Sequence, residues 1–127
     1  MKRITSRQNA VVAAFREAAR GASAGTLLLD GPHLVREAIG AGLALERVLV
    51  ATTLAPRPEI AELLRSLVDA GIETVEATSA VMDAASPLSS GSAILALARR
   101  PPARAVFAEK TPLVLVACDI QDPGNLG

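Results

Sequence analysis

Four short stretches of this chain carry residue types and spacings that suit chemistry. Arg3 and Arg7 are planar cations that can hold phosphate oxygens bidentately, and Gln8 and Asn9 can hydrogen-bond a ribose 2′-hydroxyl or a base edge. Arg16 and Arg20 stand four residues apart, so on a helix they share one face, either a second phosphate contact or a solvated surface. His33 follows Asp30-Gly31-Pro32 near a helix start, where backbone N–H groups attract an anion. It can donate to that anion or bond a nearby carbonyl, and Glu37, one turn on, can partner it or face water. The fourth stretch is Asp122-Pro123-Gly124-Asn125, which on its own is a run of turn formers.

The rest of the inventory is sparse. The only histidine and the single Cys118 give no zinc ligand set, and one cysteine forms no internal disulfide; a buried thiol is expected. Neither a Gly-x-Gly-x-x-Gly run nor a P-loop is present, which argues against a small-molecule-binding α/β protein built on the turn at Asp30-Gly31. Trp and Tyr are absent, and Phe15 and Phe107 suit core positions, so recognition by base stacking is not expected.

The 127 residues are 50% apolar with zero net charge, which suits one packed domain. The charge is unevenly spread. Residues 1–25 carry five basic groups against Glu17, residues 26–98 carry four basic against nine acidic, and residues 99–110 are again basic. A phosphate backbone responds to such a local basic face rather than to the total. No apolar run approaches the ~20 residues of a membrane span. No apolar stretch follows the basic N-terminus, so no signal peptide is read and the cytoplasm is the expected compartment.

The periodicities predict an alternation of elements to position these groups. A helix over about 7–20, capped by Ser6, has Val11, Val12, Phe15, Ala18 and Ala19 as its apolar stripe. Thr26–Leu29 reads as a buried strand. Asp30 then caps a helix to about Ala41, with Leu34, Val35, Ala38 and Ile39 inward. Further strands are expected at 47–50, 72–75, 93–97 and 113–117. Helices are expected from Pro58 to about Ala70, with Ile60, Leu63, Leu64, Leu67 and Val68 inward, and over 80–84, capped by Ser79. This is an α/β pattern, a three-layer α/β/α sandwich over residues 1–99. Residues 100–111, with Pro101 and Pro102, read as a linker. The strand at 113–117 should open a second unit that residues 112–127 cannot complete, so the chain is expected to be truncated.

Two segments carry a resemblance. Ile4-Thr5-Ser6-Arg7-Gln8-Asn9, followed later by Leu28-Leu29-Asp30-Gly31-Pro32-His33-Leu34-Val35-Arg36-Glu37-Ala38, is similar to the N-terminal domain of SpoU/TrmH RNA 2′-O-ribose methyltransferases. Pro112-Leu113-Val114-Leu115-Val116-Ala117-Cys118-Asp119-Ile120-Gln121-Asp122-Pro123-Gly124-Asn125-Leu126-Gly127 resembles the start of their knotted (SPOUT) catalytic domain. Asn125 and Gly127 match the first two fixed positions of the family's Asn-x-Gly-x-x-x-Arg motif. The arginine, the family's main catalytic side chain, would lie beyond Gly127. The stretch 18–25, Ala-Ala-Arg-Gly-Ala-Ser-Ala-Gly, lacks the basic run often found there in the family, and Leu88-Ser89-Ser90-Gly91-Ser92 departs from its Thr-x-x-Pro-Gln-Gly loop.

The resemblance implies an RNA-substrate-binding domain, akin to ribosomal and kink-turn-binding proteins, that belongs to an S-adenosylmethionine-dependent transferase acting on structured RNA, rRNA or tRNA. Arg3, Arg7, Gln8, Asn9, Arg16, Arg20 and His33 would then face the RNA, and Asn125 would belong to the catalytic site. No cofactor is expected on this chain by itself. The parent enzyme would be a homodimer through its catalytic domain, and the present chain mainly a monomer. A free-standing ribosomal-protein-like RNA binder would share the fold but leave the segment after Arg100 without a role.

Overall fold

A computed structural model of the chain describes residues 2–86 and 91–102 and the single positions 111, 116 and 118. The elements run β1 (Lys2–Ile4), α1 (Ala10–Ala19), β2 (Thr26–Asp30), α2 (Pro32–Gly40), β3 (Leu45–Ala51), α3 (Pro58–Asp69), β4 (Glu73–Ala77), α4 (Ser79–Ala85) and β5 (Ile94–Arg99). The strands form one mixed sheet in the order β1-β4-β3-β5-β2. β1, β4 and β3 pair in parallel, and β5 runs antiparallel to both β3 and β2. β2 therefore points the same way as β1, β3 and β4, and β5 alone is reversed.

Each face of the sheet has its own core. Val12, Phe15 and Ala18 of α1 meet Val81, Met82 and Ala85 of α4 over Leu49, Val75 and Leu95. On the other face Val35 of α2 and Ile60, Leu63, Leu64 and Leu67 of α3 pack on Val48, Val50, Ile94 and Ala96. Helices thus cover both faces, the three-layer α/β arrangement expected. The central strands β3 and β5 are apolar on both sides because both sides are covered.

Several local expectations need correction. β1 was not foreseen: of its three residues only Ile4 is buried, and the strand exists because Lys2, Arg3 and Ile4 pair with Val75, Glu76 and Ala77 of β4. Ser6 does not cap α1. Asn9 does, its side chain accepting from Val11 N–H at 3.0 Å, and α1 starts at Ala10 because residues 5–8 are spent leaving β1. Asp30 does not cap α2. The N-cap is Gly31, without a side-chain bond, and the Asp30 carboxylate instead accepts from Ser86 Oγ. Thr78, not Ser79, precedes α4 as N-cap, also without a side-chain bond.

Leu34 and Ile39 flank the buried ridge of α2, Val35 and Ala38, and are 46% and 40% exposed. Val68, at the rim of α3, is likewise exposed. Cys118 is exposed, not buried. The run 113–117 lies outside the described residues except for Val116, which is exposed and belongs to no strand, since nothing in the five-stranded sheet covers it. Phe107 also lies outside them. Among the described residues no helix is long and apolar enough to cross a membrane.

Candidate nucleic-acid interface

β1 leads through residues 5–8 into α1, and the stretch from Arg3 to Asn9 carries four of the seven candidate residues. Arg3 lies on the edge strand beside Glu76 of β4 in register, and Arg7 and Gln8 lie on the turn; all three are exposed. The turn is fastened by its own polar groups: Asn9 N–H donates to Ser6 O at 3.2 Å and Gln8 N–H to Ser6 Oγ at 3.2 Å. The Asn9 carbonyl oxygen is committed to Val11, which leaves its side-chain NH2 as the group able to meet a ligand.

Arg16 and Arg20 sit near the far end of α1, roughly 10–16 Å along its axis from Asn9 at ~1.5 Å per residue. They line a groove of about 250 Å³ between α1 and α4, together with Ala19, Ala84, Ala85 and Ser86. Arg16 Nε donates to Ala84 O at 2.8 Å. That carbonyl is in the last turn of α4, where carbonyls lack helical partners, so Arg16 closes the end of α4 as well as presenting charge. Ser86, on the rim of the same groove, bonds Asp30 at the end of β2.

His33 is exposed in the first turn of α2 and its side chain makes no hydrogen bond to a described residue, so the structural role open to it as a carbonyl donor is not filled. Glu37, also exposed, does not partner it. The structure therefore brings Arg16 and Arg20 together, keeps Arg3, Arg7, Gln8 and Asn9 as a second group at the other end of α1, and sets His33 on the helix that follows β2. Asn125 and Gly127 lie outside the described residues.

None of the candidate arginines joins a described ion pair. The ion pairs among the described residues are Arg47–Glu73 at 2.6 Å and Arg99–Glu46 at 3.4 Å. Arg3, Arg7, Arg16 and Arg20 take part in neither, so their charge is not neutralised by a described carboxylate within bonding distance. No group of three or more His, Cys, Asp or Glu suited to a metal occurs among the described residues.

Sequence reasoning missed two cavities. The larger, about 440 Å³, lies along α3 and β4 and is lined by Ala55, Pro56, Leu64, Val68, Asp69 and Glu76 among others. Its lining is mostly apolar, and Arg65 there is outnumbered by the carboxylates of Asp69 and Glu76, so it offers a polyanion no net positive charge. The other, about 190 Å³, lies between Thr53, Ser79, Asp83 and Ser92, where the carboxyl ends of β3 and β4 meet the start of β5. Only the sheet topology assembles these hydroxyls, and no local motif announces them.

The fold is shared with solved structures. An rRNA methyltransferase from Sinorhizobium meliloti superposes with a TM-score of 0.65 at 16% identity, covering 80% of this chain and 38% of that one. Its AdoMet-bound form does so with a TM-score of 0.65 at 15% identity, with the same coverage. An RNA 2′-O ribose methyltransferase matches over 98% of this chain and 48% of its own, with a TM-score of 0.70 and 29% identity. No protein-family model matches the chain, and no curated protein matches its sequence. The chain spans less than half the length of the solved structures it matches. It resembles the N-terminal part of RNA 2′-O-methyltransferases.

Proposed function

We infer that this chain is the RNA-substrate-binding part of an S-adenosylmethionine-dependent RNA 2′-O-ribose methyltransferase. The observation that carries the reading is the match to an RNA 2′-O ribose methyltransferase over 98% of the chain at 29% identity. The C-terminal run Asp122-Pro123-Gly124-Asn125-Leu126-Gly127, which resembles the opening of the family's catalytic domain, supports it independently.

Under this reading the described residues bind and orient the RNA. Arg3 and Arg7 contact phosphates, Gln8 and the Asn9 NH2 meet a ribose hydroxyl or base edge, and Arg20 with the terminal nitrogens of Arg16 forms a second phosphate contact. Two contacts at opposite ends of one helix suit a polyanion that runs along α1 better than a small anion. S-adenosylmethionine, when bound to the whole enzyme, supplies the methyl group. No step is assigned to this chain through it. Asn125 would contribute to catalysis only beside the motif arginine.

The test is binding of the full chain to structured rRNA and tRNA fragments across a salt series. The expected result is an affinity that falls as salt rises and is lost when Arg3 and Arg7 are changed together to alanine. Absence of binding to every structured RNA at low salt would overturn the reading.

A further inference from the structure

The two edges of the sheet are built differently. β1, at one edge, has three residues, two of them cationic, features that keep a strand edge from pairing with another chain. β2, at the other edge, is the five-residue run Thr26-Leu27-Leu28-Leu29-Asp30, with neither lysine nor proline and an unbroken register against β5. All five residues are partly exposed.

The hydrogen bonds show which backbone groups lie open. Gly31 N–H donates to Ile94 O at 2.9 Å, and Gly25 O accepts from Arg100 N–H at 2.9 Å. Successive residues of a strand turn their backbone groups to opposite sides, so the odd-numbered residues of β2 face β5. Thr26, Leu28 and Asp30 turn theirs outward. Ser23 O holds the Thr26 N–H at 3.4 Å; no described strand pairs with the others. Open donors and acceptors beside three leucines form a template for a further strand.

We propose that this edge pairs antiparallel with β2 of a second copy of the chain, about a two-fold axis at Leu28. A second copy is the occupant that the strand's own sequence suits, because its one charged residue, Asp30, lies at the end and meets no like charge in an antiparallel pair centred on Leu28. Leu28 lies opposite the partner's Leu28 and exchanges both backbone bonds with it. Asp30 lies opposite the partner's Thr26, a carboxylate against a hydroxyl, and Leu27 opposite the partner's Leu29. No like charges meet. Centring on Asp30 instead would set two carboxylates face to face. The outward residues of β2 are thus those that a self-complementary pair needs. A two-fold normal to the sheet leaves α1 and α4 of both copies on one face, so both Arg16–Arg20 grooves open on the same side. The pairing does not depend on the RNA-binding reading.

A contact of two five-residue strands falls short of the ~1,200 Å² of a stable interface, so the dimer is weak, with a dissociation constant on the order of 100 µM to 1 mM. The chain is then monomeric when dilute and pairs as concentration rises. Sedimentation of the full chain from ~10 µM to ~1 mM should show a monomer–dimer equilibrium. Amide exchange at Leu28 and Asp30 should slow as concentration rises, while Leu27 and Leu29, whose amides face β5, stay unchanged.

Leu27 packs in neither core, so Leu27→Lys should keep the melting transition while weakening dimerisation at least ~10-fold. In a Cys118→Ser background, Leu28→Cys should cross-link to its partner on oxidation, because such a pair holds its Cα atoms ~5.5 Å apart, and Leu27→Cys should not. A monomer throughout the range, or a dimer indifferent to Leu27→Lys, would overturn the proposal. So would a Leu28 amide equally protected at every concentration, since that would mean a segment of the same chain, such as 113–117, covers the edge.

Discussion

Ser86 Oγ donates to Asp30 Oδ2 across 2.5 Å and fastens the end of α4 to the end of the edge strand β2. At its other end α4 is tied to the opposite edge, where Thr78 N–H donates to Ile4 O of β1 at 3.4 Å. One short helix therefore links both margins of the sheet. A bond to an ionised carboxylate contributes about 1.5–3 kcal/mol, toward the lower end where water reaches it. Ser86→Ala and Asp30→Ala should each destabilise the fold by about 1–2 kcal/mol in urea denaturation. Their double-mutant cycle should give a coupling of about 1 kcal/mol; strictly additive losses would show that the pair does not act as a unit.

The cap of α1 can be separated from its neighbours. Asn9→Ala removes the acceptor of the Val11 N–H and should cost about 1 kcal/mol. Ser6→Ala removes only the exposed bond from Gln8 N–H and should change stability by less than about 0.5 kcal/mol. Equal losses at the two positions would place the helix start at Ser6 instead.

Gly31 occupies φ 102°, ψ 156°, a region open essentially to glycine alone. A methyl group there would meet no atom within 4 Å, so any cost arises from the backbone and not from crowding. Gly31→Ala is expected to destabilise by about 1–3 kcal/mol. A stability unchanged within error in chemical denaturation would refute that conformation.

The two arginines of the α1–α4 groove should behave differently. On the proposed RNA-binding function, Arg20→Ala should weaken RNA binding and lower the slope of log K against log salt by about 0.7–0.9 while leaving stability alone. Arg16→Ala should do both, lowering the slope similarly and destabilising the fold by about 0.5–1.5 kcal/mol, because its Nε bond to Ala84 O is lost. Fluorescence anisotropy at several salt concentrations, with urea titration of the same variants, reads both quantities. Identical behaviour of the two variants would sink the distinction.

The helices were legible where one strong apolar ridge runs along them. Ile60, Leu63, Leu64 and Leu67 of α3, and Val12, Phe15 and Ala18 of α1, are buried as their spacing requires. What the spacing cannot fix is how wide a stripe the sheet will cover. Leu34 and Ile39 flank the buried ridge of α2 and Val68 that of α3, and all three stay exposed.

β1 was illegible because its order comes from β4, some seventy residues on, and not from its own three residues. The role of Asp30 was illegible for the same reason, since its partner is 56 positions away. Of the candidate site, the exposure of the N-terminal arginines follows the sequence. Their division into two groups at opposite ends of α1 needed the fold, and so did the second duty of Arg16.

The placement of β5 has a consequence for how the chain is made. Among the described strands β2 pairs with β5 alone, Thr26 with Arg99 and Asp30 with Leu95, so the strand rich in leucine is synthesised long before this neighbour exists. At ~5–20 residues per second, β2 waits roughly 3–14 s at the ribosome before Arg99 is added. Through that interval both of its sides are open, and the early half of the polypeptide has an unsatisfied strand to shield. The reversed strand that completes the sheet is thus also the one that ends its period of greatest exposure to aggregation.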